Sequence, residues 1–214
     1  KATAKMIENG MDYLRTVVMK EFEEMKRMEK KGQKPMICDY HAIQYLYINT
    51  LLGKNPFYDS DYVELKNYLL KYLEADRHRD IYSKALMAVV LNGDGKAKKA
   101  KEYVESIRQY TVTKPGMGTY FDTWHAGYSW FDYRIPTQTA AIEALKAEDP
   151  ADTETINQMR LWLLQSKRTQ AWDTPINTVN AVYVFLDGNY KELSSDQEES
   201  MTLAVDGKNE SLPK

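Results

Sequence analysis

The side chains best suited to chemistry crowd the stretch between Thr113 and Ile135. There KPGMGTYFDTWHAGYSWFDYR sets Tyr120, Phe121, Trp124, His125, Tyr128, Trp130, Phe131 and Tyr133 beside Asp122 and Asp132. Asp122, His125 and Asp132 at the mouth of a helical barrel would serve as general acid and base, with the aromatic rings stacking on a sugar. Long connections tend to be functional or to plug something. A plainer reading has the aromatics closing one end of a ring of helices or docking a neighbouring domain. The plainer reading is preferred, because no other loop between helices supplies a partner cluster of carboxylates. No residue is therefore assigned a catalytic role.

Other reactive residues are sparser. Cys38 and His41, three apart in ICDYH, share a ligand face at a helix start, but no third ligand has matching spacing for zinc. His78 in DRHRD reads as a solvated loop histidine. NGDGK, from Asn92 to Lys96, lacks the earlier glycine and the Ser or Thr of a phosphate loop, and the later ligands of a calcium loop. It reads as a turn and a helix cap. The lysines from Lys96 to Lys101 read as the wet face of a helix. No metal or other cofactor is expected.

Composition narrows the classes further. With 214 residues, 43% apolar and 28% charged, the chain can bury one sizeable core and is neither disordered nor embedded in a membrane. No run approaches the ~18 apolar residues of a spanning helix. Lys and Arg number 29 against 31 Asp and Glu, a balance that argues against nucleic acid or an anionic membrane as partner. The lone Cys38 excludes an internal disulfide. KATAKM at the start already reads as helix with no signal peptide, as expected of a segment cut from something longer.

The elements that must position these residues are helices. Thr3 to Lys30 repeats Ile7, Met11, Leu14, Val18, Phe22 and Met25 at helical spacing, giving one buried stripe. Asp39 to Leu52 is apolar nearly all round, as is Asp80 to Leu91, and such helices belong inside. Between them Asp61 to Ala75 is one-faced, and after them comes a one-faced helix that Asp94 can cap. Thr137 to Ala147 and Pro175 to Asp187 are apolar; Thr153 to Lys167, capped by Asp152 or Thr153, is half polar. Prolines 136 and 175 suit a first helical turn.

Half-polar and apolar helices thus alternate through about four pairs, the apolar ones ending near Leu52, Leu91, Leu145 and Leu186. A repeat of this kind marks stacked helical hairpins. The expected fold is all-α: an α/α toroid, or an arc of one, over residues 1–190, with Tyr47, Val89 and Val182 covered on inner helices. Residues 191–214 read as a polar linker followed by MTLAVDGKNE, an alternating strand with an Asp-Gly turn that opens a β-domain.

From Gly118 to Leu186 the residues resemble the bacterial alpha-2-macroglobulin family, in the C-terminal half of its helical thioester-type (complement-like) domain. GYSWFDYRIPTQTAAIEAL and INQMRLWLLQSKRTQAWDTPINTVNAVYVFL carry the likeness, through Gly127, Thr137, Gln138, Trp162, Trp172, Thr174 and Thr178. It is nearest to the large envelope-associated versions of Bacteroidetes-type bacteria. The resemblance implies an endopeptidase-inhibitor role without catalysis, in a periplasmic, cell-envelope or extracellular protease trap. Implied partners are neighbouring β-sandwich domains of the same chain and the trapped proteases. The family's Cys-x-Glu-Gln thioester motif is missing here, since Cys38 is followed by Asp39, Tyr40 and His41. An α/α-barrel enzyme acting on carbohydrates or terpenoids, using the loop 118–135, is the alternative, with a helical-repeat binding module as a third reading.

Overall fold

Apolar residues recurring every three or four positions wind most of the chain into helices. The structure is a computed structural model describing residues 2–35, 39–53, 60–75, 79–126, 134–169, 172, 174–186, 202–205 and 208–211. Among them are α1 (Ala2–Lys30), α2 (Asp39–Leu52), α3 (Ser60–Ala75), α4 (Ile81–Gly93) and α5 (Ala97–Arg108). They are followed by α6 (Arg134–Glu148), α7 (Thr153–Thr169) and α8 (Pro175–Leu186). The chain divides into two units, Lys1–Val184 and Phe185–Lys214.

Caps fix the ends where the sequence offers short polar side chains. Asp80 precedes α4 and accepts from the Ser83 backbone N–H at 2.9 Å. Asp152 does the same for α7 through Thr155, at 3.2 Å. Gly53 takes φ 62°, the left-handed conformation that closes α2 without a Cβ clash. Asp94 does not cap α5: that position is Lys96, with no side-chain cap bond. Asp94 ends α4 instead, where its carboxylate takes the ammonium of Lys66.

In the first unit α4 packs between α2 and α6, with α5 against both α4 and α6. Helices α1 and α3 lie on α2, and α7 lies on α6. Residues 85–91 of α4 are buried without a break, as are 135–142 of α6. That is what helices apolar all round require. Full burial of each Leu, Ile or Val here contributes roughly 1.5–3 kcal/mol. The fold is mostly helical, as the periodicity implies.

Three further expectations need correction. The expectation that every apolar helix is covered fails at α8: Val89 on α4 is buried and Tyr47 on α2 half-buried, but Val182 is 41% exposed. On α8 only Asn177, Ala181 and Val184 are buried. The stripe of α1 is covered from Met11 through Val18, Phe22 and Met25, whereas Ile7 lies open. The connection from Thr113 onward is more than a loop. It holds an antiparallel hairpin, β1 (Thr111–Lys114) with β2 (Gly118–Phe121), and a 3-10 turn at Trp124–Ala126.

The second unit contains a separate hairpin, β3 (Thr202–Val205) and β4 (Lys208–Ser211), paired antiparallel with Val205 opposite Lys208. This is the stretch whose alternation reads as a strand.

Candidate functional site

The hairpin that carries the aromatic stretch is positioned by β-branched residues and two glycines. Val112 pairs with Tyr120 and Thr113 with Thr119, whose hydroxyls lie 2.8 Å apart. Gly116 at φ 73° makes the turn, and its carbonyl accepts from Gln165 of α7 at 3.0 Å. Gly118 lets β2 meet the α7 backbone directly. At φ 85° it leaves no room for a Cβ, which would run into the Gln158 carbonyl and lie 2.9 Å from the Trp162 nitrogen. Tyr120 consequently stacks on Trp162, rings nearly parallel at 11° and 5.7 Å apart.

Helix α6 ties this assembly from below. The Gln138 amide, fully buried, donates to the Thr119 carbonyl at 2.8 Å and the Met159 carbonyl at 3.1 Å, so one side chain bridges β2 and α7. The Thr137 hydroxyl donates to the Ala126 carbonyl at 2.7 Å, anchoring the 3-10 turn. Thr174 caps α8, its hydroxyl accepting from the Asn177 N–H at 3.1 Å. The Thr178 hydroxyl returns a bond to the Thr174 carbonyl at 3.3 Å. Trp172 lies under the Lys167 ammonium, 5.2 Å from the ring centre, and its buried indole N–H has no hydrogen-bond partner among the described residues.

The outward part of the stretch is a layered aromatic patch. Trp124 is 75% exposed and overlaps the His125 ring at 3.6 Å, and His125 in turn lies 5.0 Å from Tyr110. Lys84 approaches Tyr110 at 5.8 Å while donating to the Ser106 hydroxyl at 2.9 Å. Asp122 is exposed and faces Lys114 at 3.7 Å. The Tyr120 hydroxyl, and then the Asp122 carboxylate, hold the Lys114 ammonium above its usual range. An acid–base pair needs a carboxylate set by burial or by a second carboxylate. Asp122 is exposed, and Asp132 lies outside the described residues. Gly127, Tyr128, Trp130, Phe131, Asp132 and Tyr133 lie outside the described residues.

The remaining candidates that are described make contacts within the fold. His41 meets Glu21 of α1 at 2.8 Å, while Cys38 and His78 lie outside the described residues. Asn92 of the NGDGK turn donates to the Ala147 carbonyl at 2.8 Å, binding the end of α4 to the end of α6. Two lysines of the run at the start of α5 are paired: Lys96 with Glu74 at 2.8 Å and Lys99 with Glu102 at 3.3 Å. Among the described residues no group of three or more His, Cys, Asp or Glu is placed to hold a metal.

One cluster escaped the sequence reading. Tyr47 of α2 donates to the Glu143 carboxylate of α6, across 96 positions, and Gln44 donates to the Tyr82 hydroxyl of α4 at 2.8 Å. Burial, then the Glu143 charge, then the Tyr183 and Tyr82 hydroxyls push the Tyr47 phenol well above its ordinary value. Four helices thus send polar side chains to one place. The available signal was Glu143 itself, a carboxylate set between Ala141–Ile142 and Ala144–Leu145 of α6.

Compared with protein-family models, with curated proteins and with solved structures, the chain matches none.

Proposed function

We propose that residues 1–190 form a non-catalytic helical scaffold domain, an arc of an α/α toroid, within an alpha-2-macroglobulin-like protein of the cell envelope. Its work there is to hold neighbouring β-domains of the same chain while the whole protein traps proteases. No thioester is assigned to this segment, because Cys38 lacks the Glu-Gln that would complete the bond.

The observation that carries the proposal is how the motif residues spend their polar groups. Thr137, Gln138 and Thr174 bond within the chain, and Trp162 stacks on Tyr120; polar groups spent inside the fold in this way support a scaffolding role. The packing of α4 between α2 and α6, with half-polar α1, α3, α5 and α7 beside them, supports the two-layered arc.

The test uses the chain together with whatever flanks it in its own gene. On exposure to an active endoprotease, the reading expects the protease to co-migrate with the protein, keep activity on a small peptide and lose it on a large protein substrate. A protease that remains free and fully active refutes the reading. So does polysaccharide or terpenoid turnover that disappears on Asp122→Asn, which would establish the α/α-barrel enzyme.

A further inference from the structure

A cavity of about 370 Å³ opens between the last turns of α2 and α4, with the start of α3 as its third wall. That volume suits a small ligand. The two helix ends approach closely: a Cβ on Gly93 would lie 2.5 Å from the Thr50 methyl. Leu46, Tyr62 and Val90 form an apolar side, and Asn49, Lys66 and Asp94 a polar one.

Asn49 is 5% exposed, and its Nδ2 donates back along α2 to the Tyr45 carbonyl at 2.7 Å. That bond fixes the orientation of the amide. It leaves the buried Oδ1 with no hydrogen-bond donor among the described residues. A buried acceptor without a donor is unfavourable.

The charges around the cavity do not balance either. A helix C-terminus carries about half a negative charge, and neither α2 nor α4 has a basic side chain in its last turn. Asp94 adds a full negative charge, and Lys66, held by that carboxylate, a positive one. Lys96 reaches Asp94 only at 3.7 Å and meets Glu74 at 2.8 Å, so its charge is matched elsewhere. The positive start of α3 has Asp61 in its own first turn. About one negative charge is left over among the described residues.

We propose that this cavity binds a small primary alkylamine, its ammonium donating to Asn49 Oδ1 between the two helix ends and its hydrocarbon stem lying along Leu46, Tyr62 and Val90. An ammonium supplies both a hydrogen-bond donor and a positive charge. A bare metal ion would make no use of the apolar wall, and a quaternary ammonium has no N–H to donate. The site is independent of the trap reading: loss of amine binding leaves that reading untouched, and failure of protease capture leaves the amine site untouched.

Butylammonium chloride titrated into the nitrogen-labelled full chain, with the Gly53 and Gly93 amide resonances followed by NMR, tests it. The expected result is a saturable shift of both, with a Kd of about 1 mM, unmatched by tetramethylammonium or potassium chloride at the same ionic strength. Asn49→Leu, of similar volume, weakens butylammonium binding about tenfold or more. Asp94→Asn removes a negative charge and weakens it about tenfold, whereas Lys66→Met removes the competing ammonium and tightens it about tenfold. No saturable shift, or an equal one with potassium or tetramethylammonium, overturns the proposal. So does an Asn49→Leu chain, folded by circular dichroism, that binds as tightly as the parent. Should that variant fail to fold, the two charge variants decide alone, and affinities that do not move in opposite directions overturn the site.

Discussion

Gln138 offers the sharpest test of how the aromatic hairpin is held. Its amide is buried at 1% exposure and donates one hydrogen to β2 and the other to α7. Gln138→Met keeps the length and volume of the side chain while deleting both donors. Each bond contributes about 1 kcal/mol net, and the Thr119 carbonyl also loses its buried side-chain donor. The Met159 carbonyl sits within α7, where the helix ladder supplies its other partner. The expected loss is therefore about 2–3 kcal/mol, a large share of the 5–15 kcal/mol typical of a domain. Gln138→Ala costs about 2 kcal/mol more, through the cavity it leaves.

Guanidinium unfolding followed by far-ultraviolet circular dichroism measures this, with the midpoint falling and the slope unchanged. Hydrogen exchange adds a local readout: amides of β1 and β2 exchange faster in the variant than the global loss accounts for, while those of α4 follow the global loss. A Gln138→Met protein within about 0.5 kcal/mol of the parent refutes the bridging role, since surface-like tolerance is incompatible with two buried donors. A full loss with no extra exchange in the hairpin refutes the assignment of the bond to β2.

Three more expectations follow from single residues. Burial raises the Asp152 carboxyl, but the bonds from Arg108 and Thr155 outweigh it, so its folded value lies below the ordinary one. Its contribution is then present at neutral pH and lost as pH falls through that lowered value. Asp152→Asn should lower stability by roughly 1 kcal/mol at pH 7 in denaturant melts, and the gap should close as the pH falls through that lowered value. Gly118→Ala forces a Cβ against the α7 backbone at a positive φ and should cost about 2–3 kcal/mol by thermal melting; a change under about 0.5 kcal/mol would mean β2 does not touch α7 as described. Trp124→Ala removes an exposed ring and should leave stability within about 0.5 kcal/mol, so a larger loss would show that the patch is covered in solution.

Much of the first unit was legible because helix formation is local. The stop of α2 at Gly53, the cap at Asp152 and Pro175 opening α8 all follow from residues acting within one turn. The unbroken burial of α4 and α6 was likewise readable, since a helix without a polar face has nowhere else to go. The hairpin was not. Thr111, Val112 and Thr113 are a short β-branched run, and an aromatic-rich neighbour hides the alternation on which strand recognition depends. Asp94 misled for a related reason: a turn aspartate can cap the next helix or end the last one, and the Lys66 ammonium from α3 decided between them.

By themselves, then, the residues determined that this chain is helical, where most helices begin and end, and which of them carry apolar sides. Tertiary structure decided what those sides meet. It brought Tyr47 to Glu143 over 96 positions, laid β2 on α7 through Gly118, and left the apolar stripe of α8 open to solvent. The division has a physical cause. Periodicity and capping are set by neighbours within about four residues. Opposition across helices depends on how separate elements cross, and an apolar stripe looks the same in sequence whether its cover lies in its own fold or elsewhere.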